Sequence, residues 1–117
     1  MNTMKEEIQY NEFDKLDIRM GEIKSAGRIE DADKLLRLEI DLGEENLRII
    51  ASGIAQYYEP ESLVGKMVPV LVNLAPRTLR GVKSQGMVLM AIDETDGAHK
   101  PILLEPSEDL PPGSPVA

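Results

Sequence analysis

The amino-acid sequence predicts an all-β fold, a five-stranded barrel with a short helical connector between its third and fourth strands. Residues 36–42 alternate apolar and polar side chains with period two, as in a strand with one buried face. Four more apolar stretches of strand length are separated by residues that favour turns. The 117 residues suffice for one hydrophobic core, so we expect a single domain over 1–117, with a barrel core at about 13–92 and a C-terminal extension at 93–117.

The first three strands are predicted to form an antiparallel meander. Their expected bounds are 18–29, 36–42 and 47–52. The first strand is long, and Gly21 and Gly27 interrupt its alternation as they would at a bulge or a sharp bend. The polar stretches 30–34 and 43–46 suit the two turns between the strands.

The chain after the third strand is expected to be helical and then to return to the sheet. One helical turn is predicted over 54–58, and Pro60 opens a second turn that Gly65 ends. The fourth and fifth strands are predicted at 68–74 and 87–92, and the fifth is apolar throughout, so we expect it to be buried on both faces.

This order of elements matches the oligonucleotide/oligosaccharide-binding (OB) barrel, which binds ligands on strands two and three and the flanking loops. An SH3-like barrel or a small sandwich fits the same strand pattern. In the C-terminal extension, 101–104 is predicted as a short added strand and 106–115 as an irregular tail rich in proline.

Composition excludes most enzyme classes. The chain has no cysteine and one histidine, His99, which leaves no thiol nucleophile, no disulfide and little imidazole chemistry. No nucleotide-binding glycine motif occurs, and we expect no enzyme, no cofactor and no metal site. No apolar run approaches the roughly 20 residues of a membrane span, and the N-terminus does not resemble a signal peptide, so the cytoplasm is the expected location.

Charge is distributed very unevenly along the chain. The formal net charge of the whole chain is -8, and this overall negative charge opposes the binding of phosphates. From Ser62 to Ile92, however, there is no acidic residue, and this stretch contains Lys66, Arg77, Arg80 and Lys83. Because charges more than about 8 to 10 Å away are screened at physiological salt, the local excess of cations outweighs the net charge at a docking surface.

Residues 73–87 form the predicted functional segment. A loop this long between two strands is uncommon unless it is functional, and Pro76 stiffens it just before Arg77. The cations there suit phosphate groups, and Ser84 and Gln85 add neutral hydrogen-bonding groups suited to ribose. The alternative is an ordinary loop with solvated charges, tied to the core by Leu79 and Val82.

The same segment, Asn-Leu-Ala-Pro-Arg-Thr-Leu-Arg-Gly-Val-Lys-Ser-Gln-Gly-Met, resembles a signature of the tRNA-binding domain at the C-terminus or in the β-subunit of methionyl-tRNA synthetases. Free-standing dimeric tRNA-binding proteins and the endothelial monocyte-activating polypeptide contain this domain too. Further marks of the family are Leu-Asp-Ile-Arg at 16–19, Asp-Ala-Asp-Lys-Leu at 31–35 and Ser-Gly-Ile at 52–54. The resemblance runs from about Phe13 to Ile92 and supports the OB barrel.

The resemblance implies a set of RNA contacts. These residues are Lys34, Asn73, Arg77, Arg80, Ser84, Gln85 and Met87, to which we add Lys66 and Lys83 because of their charge. Ala75 and Thr78 stand where the signature usually has lysine, which lowers the expected number of phosphate contacts and flattens the salt dependence of binding.

The resemblance also implies partners and a mode of action. A non-catalytic module would dock on folded tRNA by shape and backbone, assisting a methionyl-tRNA synthetase catalytic chain in cis or in trans. Few aromatic residues are available to stack successive bases, which agrees with recognition by shape.

Apolar residues at both ends, including Ile8, Tyr10, Phe13 and 102–104, predict a homodimer, or else they cover the barrel itself. Two alternatives are a protein-binding role like that of the CsaA-type export chaperones and an assembly module without RNA binding.

Overall fold

A computed structural model describes residues 3–117 and confirms the all-β class. Within that range the strands are β1 (Ile18–Ile29), β2 (Ala32–Asp41), β3 (Arg48–Ser52), β4 (Met67–Leu71), β5 (Arg77–Leu79), β6 (Val82–Ser84), β7 (Met87–Val88), β8 (Met90–Asp93), β9 (Lys100–Leu103) and β10 (Pro115–Val116). A four-residue helix, α1 (Tyr10–Phe13), precedes them, and 3₁₀ turns cover Pro60–Leu63 and Thr95–Gly97. The sequence did not predict α1.

The main sheet is antiparallel and has the strand order β3-β2-β1-β4-β7. Alternate residues of β2, namely Leu36, Leu38 and Ile40, are fully buried, and Leu38 lies opposite the buried Ile50 of β3. The period-two prediction for this strand is therefore confirmed. Irregular pairing in β1 occurs between Ile23 and Ser25 and between Arg28 and Ile29. These irregularities begin one or two residues after Gly21 and Gly27, where the sequence predicted a bulge or a sharp bend.

The predicted fifth strand is two strands in different sheets. β7 pairs with β4 in the main sheet, whereas β8 pairs with β9 in a separate two-stranded sheet. The chain changes partner at Leu89, whose backbone N–H still bonds to Pro69 O of β4 at 3.0 Å. The expectation of burial on both faces was wrong, because Met87 and Ile92 are exposed. In β7 of the main sheet Val88 is buried and Met87 points to the opposite, exposed face, whereas Ile92 lies in the small β8–β9 sheet. An apolar run therefore does not guarantee burial.

The connector and the tail differ in detail from their predictions. Only Pro60–Leu63 is helical, whereas 54–58 is an irregular turn that buries Ile54 and Ala55 against the core. The tail is not irregular to its end, because β10 returns to pair with β1 and places Val116 opposite Ile18. β10 therefore covers the part of the β1 edge that β2 does not reach.

Candidate nucleic-acid interface

The segment 73–87 contains an ordered hairpin formed by β5 and β6. Arg80 and Gly81 connect the two strands and have φ angles of 49° and 81°, which is the pattern of a two-residue type I′ turn. Glycine adopts positive φ at no steric cost, whereas a side chain there costs roughly 1–2 kcal/mol. Arg80 therefore occupies a strained position at the tip of the hairpin, where its side chain is exposed to solvent.

The cations of the hairpin point in different directions. Arg77 lies opposite Ser84, and Thr78 lies opposite Lys83. Cross-strand partners share one face of a ribbon and neighbours along a strand alternate, so Arg77 and Lys83 are on opposite faces. With Arg80 at the tip, the hairpin carries one cation on each face and one at its end, so these three side chains do not form one flat cluster.

A groove of about 550 Å³ opens on the Arg77 face of the hairpin, and we call it the cationic groove. It is lined by Lys34, Ala51, Ser52, Gly53, Ile54, Gln56, Tyr57, Leu74, Ala75, Arg77, Leu79, Ser84, Gly86, Met87, Val88, Leu89, Met90, Ile92, His99 and Pro101. Two predicted site cations, Lys34 and Arg77, both line this groove, and most of the other lining residues are apolar. None of the described residues that line the cationic groove is acidic.

A second groove, of about 580 Å³, lies on the Lys83 face, and we call it the mixed-charge groove. Asn73, Lys83 and Gln85 line it together with Glu44 and Glu45. Arg48 also lines this groove and pairs with Glu44, so the two carboxylates and the two cations of the lining balance each other. The two faces of the hairpin therefore differ in electrostatic character, although each contains one predicted site cation.

The predicted site cations differ in their pairing with carboxylates. Within residues 3–117, Lys34, Arg77, Arg80 and Lys83 form no ion pair. Lys66, by contrast, lies 3.5 Å from Glu105. It precedes β4, whereas the hairpin follows β4, so the length of that strand, about 17 Å, separates them. The structure therefore brings four of the five site cations to the hairpin and the adjacent grooves and leaves Lys66 at the other end of the sheet.

Ser84 and Gln85 form hydrogen bonds within the fold. Ser84 is only 5% exposed, and its hydroxyl accepts from the Ala51 amide at 3.0 Å and donates to Gly86 O at 3.2 Å. The Gln85 amide donates to Ile49 O at 2.8 Å, and its side-chain Oε1 accepts from the Ile49 amide at 3.0 Å. The main sheet does not close on itself through strand pairing. The side chains of Ser84 and Gln85 therefore accept hydrogen bonds from the backbone N–H groups at the open edge of β3, where a neighbouring strand would otherwise pair.

Arg48 of β3 holds both ends of the segment that contains the hairpin. Its guanidinium donates to Val72 O at 2.6 Å and to Gln85 O at 3.0 Å, and it binds the Glu44 carboxylate at 2.8 and 3.0 Å. The hydrogen bond from Arg48 lowers the pKa of Glu44, and the same bond raises the pKa of Arg48. Arg48 was not among the residues predicted from the sequence; the available signal was a cation at the start of an otherwise largely apolar strand.

Asn73 ties the hairpin to the N-terminal segment. Its Oδ1 accepts from the Asp17 amide at 2.9 Å, and its Nδ2 donates to Lys15 O at 2.7 Å. The side chain of Asn73 thus satisfies backbone groups more than 50 positions away in the sequence. Asn73, Ser84, Gln85 and Arg48 together fix where the hairpin leaves the sheet.

The two neighbouring tyrosines have different environments. Tyr58 is partly buried and donates its hydroxyl to Pro101 O at 3.0 Å, packing against the core. Tyr57 is 47% exposed and lines the cationic groove, as does Met87, which is 45% exposed. The groove therefore contains an accessible aromatic ring and an accessible thioether.

In the part of the chain from residue 3 onward, no cluster of three or more His, Asp or Glu side chains is arranged to hold a metal ion. None of the helices in that range has the length and apolar character needed to cross a bilayer.

Comparisons with known proteins point to one family. The family model described as "Putative tRNA binding domain" matches residues 18–115. Methionine–tRNA ligase of Methanococcoides burtonii is 50% identical over 110 residues, which cover 94% of this chain and 16% of the ligase. The ligase of Listeria monocytogenes serovar 1/2a is 46% identical over 110 residues, with the same two coverages. The chain thus spans about 16% of the length of these curated relatives.

Solved structures agree in fold over nearly the whole chain. A MetRS-related protein from Pyrococcus horikoshii superimposes with a TM-score of 0.88 at 36% identity, covering 97% of this chain and 100% of that one. The chaperone CsaA from Bacillus anthracis superimposes with a TM-score of 0.84 at 31% identity, covering 96% and 100%. The similarity in fold therefore extends over nearly the whole chain.

Proposed function

The chain belongs to the tRNA-binding domain family, which is non-catalytic, and from this we propose that it docks on folded tRNA by shape and backbone contacts. One observation carries the proposal. Four cations of the hairpin and the adjacent grooves, within the part of the chain that the structure describes, have no carboxylate partner, and the sequence around the hairpin contains no acidic residue from Ser62 to Ile92. Cations that are free of carboxylates can displace the counterions of RNA phosphates.

We assign the proposed contacts by geometry. Lys34, Arg77, Arg80 and Lys83 bind phosphates, and Met87 makes an apolar contact at the edge of the cationic groove. Asn73, Ser84 and Gln85 orient the hairpin through the hydrogen bonds described above. Lys66 is left out of this proposed site, because its ion pair with Glu105 and its distance from the hairpin support no shared contact.

The proposal extends to partners. Since the related sequence in the ligases makes up about 16% of their length, the module would assist a methionyl-tRNA synthetase, fused or separate, by raising the effective concentration of tRNA in the cytoplasm. Exposed Ile8, Tyr10, Phe13, Ile102 and Leu104 favour a homodimer over coverage of the chain's own sheet. The sheet order, with β3 bridged to β6 and β7 by side chains, supports an OB-type barrel.

A filter-binding assay with total tRNA at two salt concentrations tests the function. Arg77→Ala/Arg80→Ala removes two proposed phosphate contacts, so the slope of log affinity against log salt becomes flatter by about 1.4 to 1.8. The matched control is Arg19→Ala/Arg37→Ala, which removes the same charge from arginines that pair with Asp17 and Glu39. If the wild type and Arg77→Ala/Arg80→Ala bind tRNA with equal affinity, the proposal is refuted. We also expect heat-denatured tRNA to bind more weakly than folded tRNA.

The second candidate is a protein-binding role. It is favoured by the TM-score of 0.84 with a chain titled as the chaperone CsaA and by the apolar floor of the cationic groove. Binding of an unfolded polypeptide, with tRNA binding absent at low salt, would select this role. Absence of both would favour an assembly module.

A further inference from the structure

The cationic groove has the features of a site for one nucleotide. We propose that it receives a single unstacked nucleotide of the docked tRNA, with the base against Tyr57 and the phosphate at Lys34 and Arg77. This inference rests on the proposed function, because it takes tRNA as the ligand. It adds a base contact to a mode of binding otherwise based on shape and backbone.

The exposure of Tyr57 is the first observation that supports the nucleotide site. Its neighbour Tyr58 has a hydrogen bond to Pro101 and a place against the core, so that ring has a structural role. Tyr57 shares neither feature: it is 47% exposed and, within the described residues, its hydroxyl has no hydrogen-bond partner in the fold. An exposed ring on the wall of a groove offers a π-face to any base.

The floor of the groove is the second observation. Leu79, Met87, Ile92 and Pro101 contribute apolar surface, and Met87 and Ile92 are more than 40% exposed. Apolar side chains left open to water in a concave surface favour a flat, weakly hydrated ligand such as a base. The volume of about 550 Å³ falls within the usual range of small-ligand sites, so the groove has room for one nucleotide.

The charges around the groove select the kind of ligand. Lys34 and Arg77 line it, neither has a carboxylate partner in the described part of the chain, and the described lining contains no acidic residue. The mixed-charge groove across the hairpin has Glu44 and Glu45 in its lining beside Arg48 and Lys83, so its charges balance and it attracts a phosphate less than the cationic groove does. An apolar floor with cations beside it is complementary to a nucleotide, which joins a flat base to an anion.

With this arrangement the protein would bind folded RNA in preference to denatured RNA, without distinguishing one base sequence from another. Stacking on Tyr57 accepts every base, because each base has a π-face. The groove accepts the base only where the RNA fold extrudes it while the adjacent backbone lies against the hairpin, whose tip carries Arg80. A base still stacked in a helix does not reach Tyr57, and a denatured strand lacks the second contact.

The test compares Tyr57→Ala, Tyr57→Phe and Val64→Ala in the same tRNA filter-binding assay. Tyr57→Ala lowers affinity for folded tRNA about 5- to 150-fold, the loss of one stacked base, and leaves the salt slope unchanged because no charge is removed. Tyr57→Phe retains the ring and therefore the affinity. Val64→Ala, at an apolar side chain that is 51% exposed and lies outside both grooves, leaves affinity unchanged.

A measurement on the unaltered protein accompanies the variants. Ultraviolet cross-linking to tRNA, followed by mass spectrometry, should attach one nucleotide to the peptide that contains Tyr57. If tRNA binds and responds to Arg77→Ala/Arg80→Ala, but Tyr57→Ala binds equally well and no such cross-link forms, the nucleotide site is refuted while the function stands. If the wild type binds no tRNA, the proposed function itself fails. Loss of binding to an unfolded polypeptide in Tyr57→Ala, without loss of tRNA binding, would make the groove a peptide site and also overturn the inference.

Discussion

Replacing Arg48 by methionine tests whether this residue holds the hairpin in place. The substitution keeps much of the side-chain volume but removes every hydrogen bond that the guanidinium donates. The carbonyls of Val72 and Gln85 lose their charged donor, and Glu44 loses its ion-pair partner. These two carbonyls lie at the two ends of the segment that contains β5 and β6, so both attachment points change together.

The structure gives the size of the expected effect. A hydrogen bond to a charged group contributes about 1.5–3 kcal/mol, and the Arg48 side chain is 24% exposed, so water replaces part of each lost bond. Taking the lower end for two bonds gives about 3 kcal/mol, and the Glu44 pair adds less than about 1 kcal/mol because Glu44 is half exposed. At about 4 °C per kcal/mol for a domain of this size, the melting temperature falls by about 12 °C.

Urea unfolding followed by circular dichroism measures the effect. The matched control is Arg37→Met, because Arg37 contacts Glu39 only at 3.8 Å and is 40% exposed, so its loss costs less than about 1 kcal/mol. Affinity for tRNA should also fall in Arg48→Met, since the hairpin cations lose their fixed orientation. Equal unfolding free energies for the two methionine variants would refute the reasoning that Arg48 fixes the hairpin.

Three further predictions concern turns and pH. Arg80→Asn raises the free energy of unfolding by up to about 1 kcal/mol in urea, because asparagine tolerates positive φ at this turn position, and it weakens tRNA binding in the filter assay. The hydrogen bond from Arg48 lowers the pKa of Glu44 in the fold, so the ionised Glu44 stabilises the protein above the usual pKa of 4.5, and this stabilisation is lost as pH falls through the lowered value. In urea unfolding, the free energy of unfolding should therefore fall less below pH 4.5 in Glu44→Gln than in the wild type. Gly113→Ala lowers the free energy of unfolding by about 3 kcal/mol in the same assay, because φ is +91° and the added Cβ would lie 2.5 Å from the carbonyl oxygen of Leu42.

The strands that could be predicted are those whose own residues determine one buried face. β2 alternates buried and exposed residues over most of its length, and local periodicity was enough to identify it. The stretch 87–92 is apolar without alternation, and its division between two sheets depends on which distant strand each half meets, β4 or β9. A single sequence does not contain that information, because apolar runs do not identify their partners. β10 was missed for the same reason, since two residues show no period.

The sequence predicted the functional segment at 73–87, but it did not distinguish side chains that are free for a ligand from those that form hydrogen bonds within the fold. Ser84 and Gln85 are polar and lie beside cations, a pattern that favours a binding surface. In the fold their side chains accept from the backbone N–H groups of Ala51 and Ile49. Polar residues serve either purpose, and only the position of the open edge of β3 decides between them.

The net charge of -8 is compatible with a binding site for phosphates because of where the ion pairs lie. Six of the cations within residues 3–117 form ion pairs with carboxylates, so much of the acidic charge is balanced locally. The four cations of the proposed site have no such partner, and two of them line a groove without acidic residues in its described lining. Since fields are screened beyond about 8 Å, a phosphate at the cationic groove experiences Lys34 and Arg77 more strongly than the acidic residues elsewhere. Lys83 lines the mixed-charge groove, which also contains Glu44 and Glu45, so we infer that it contributes less to binding than Arg77.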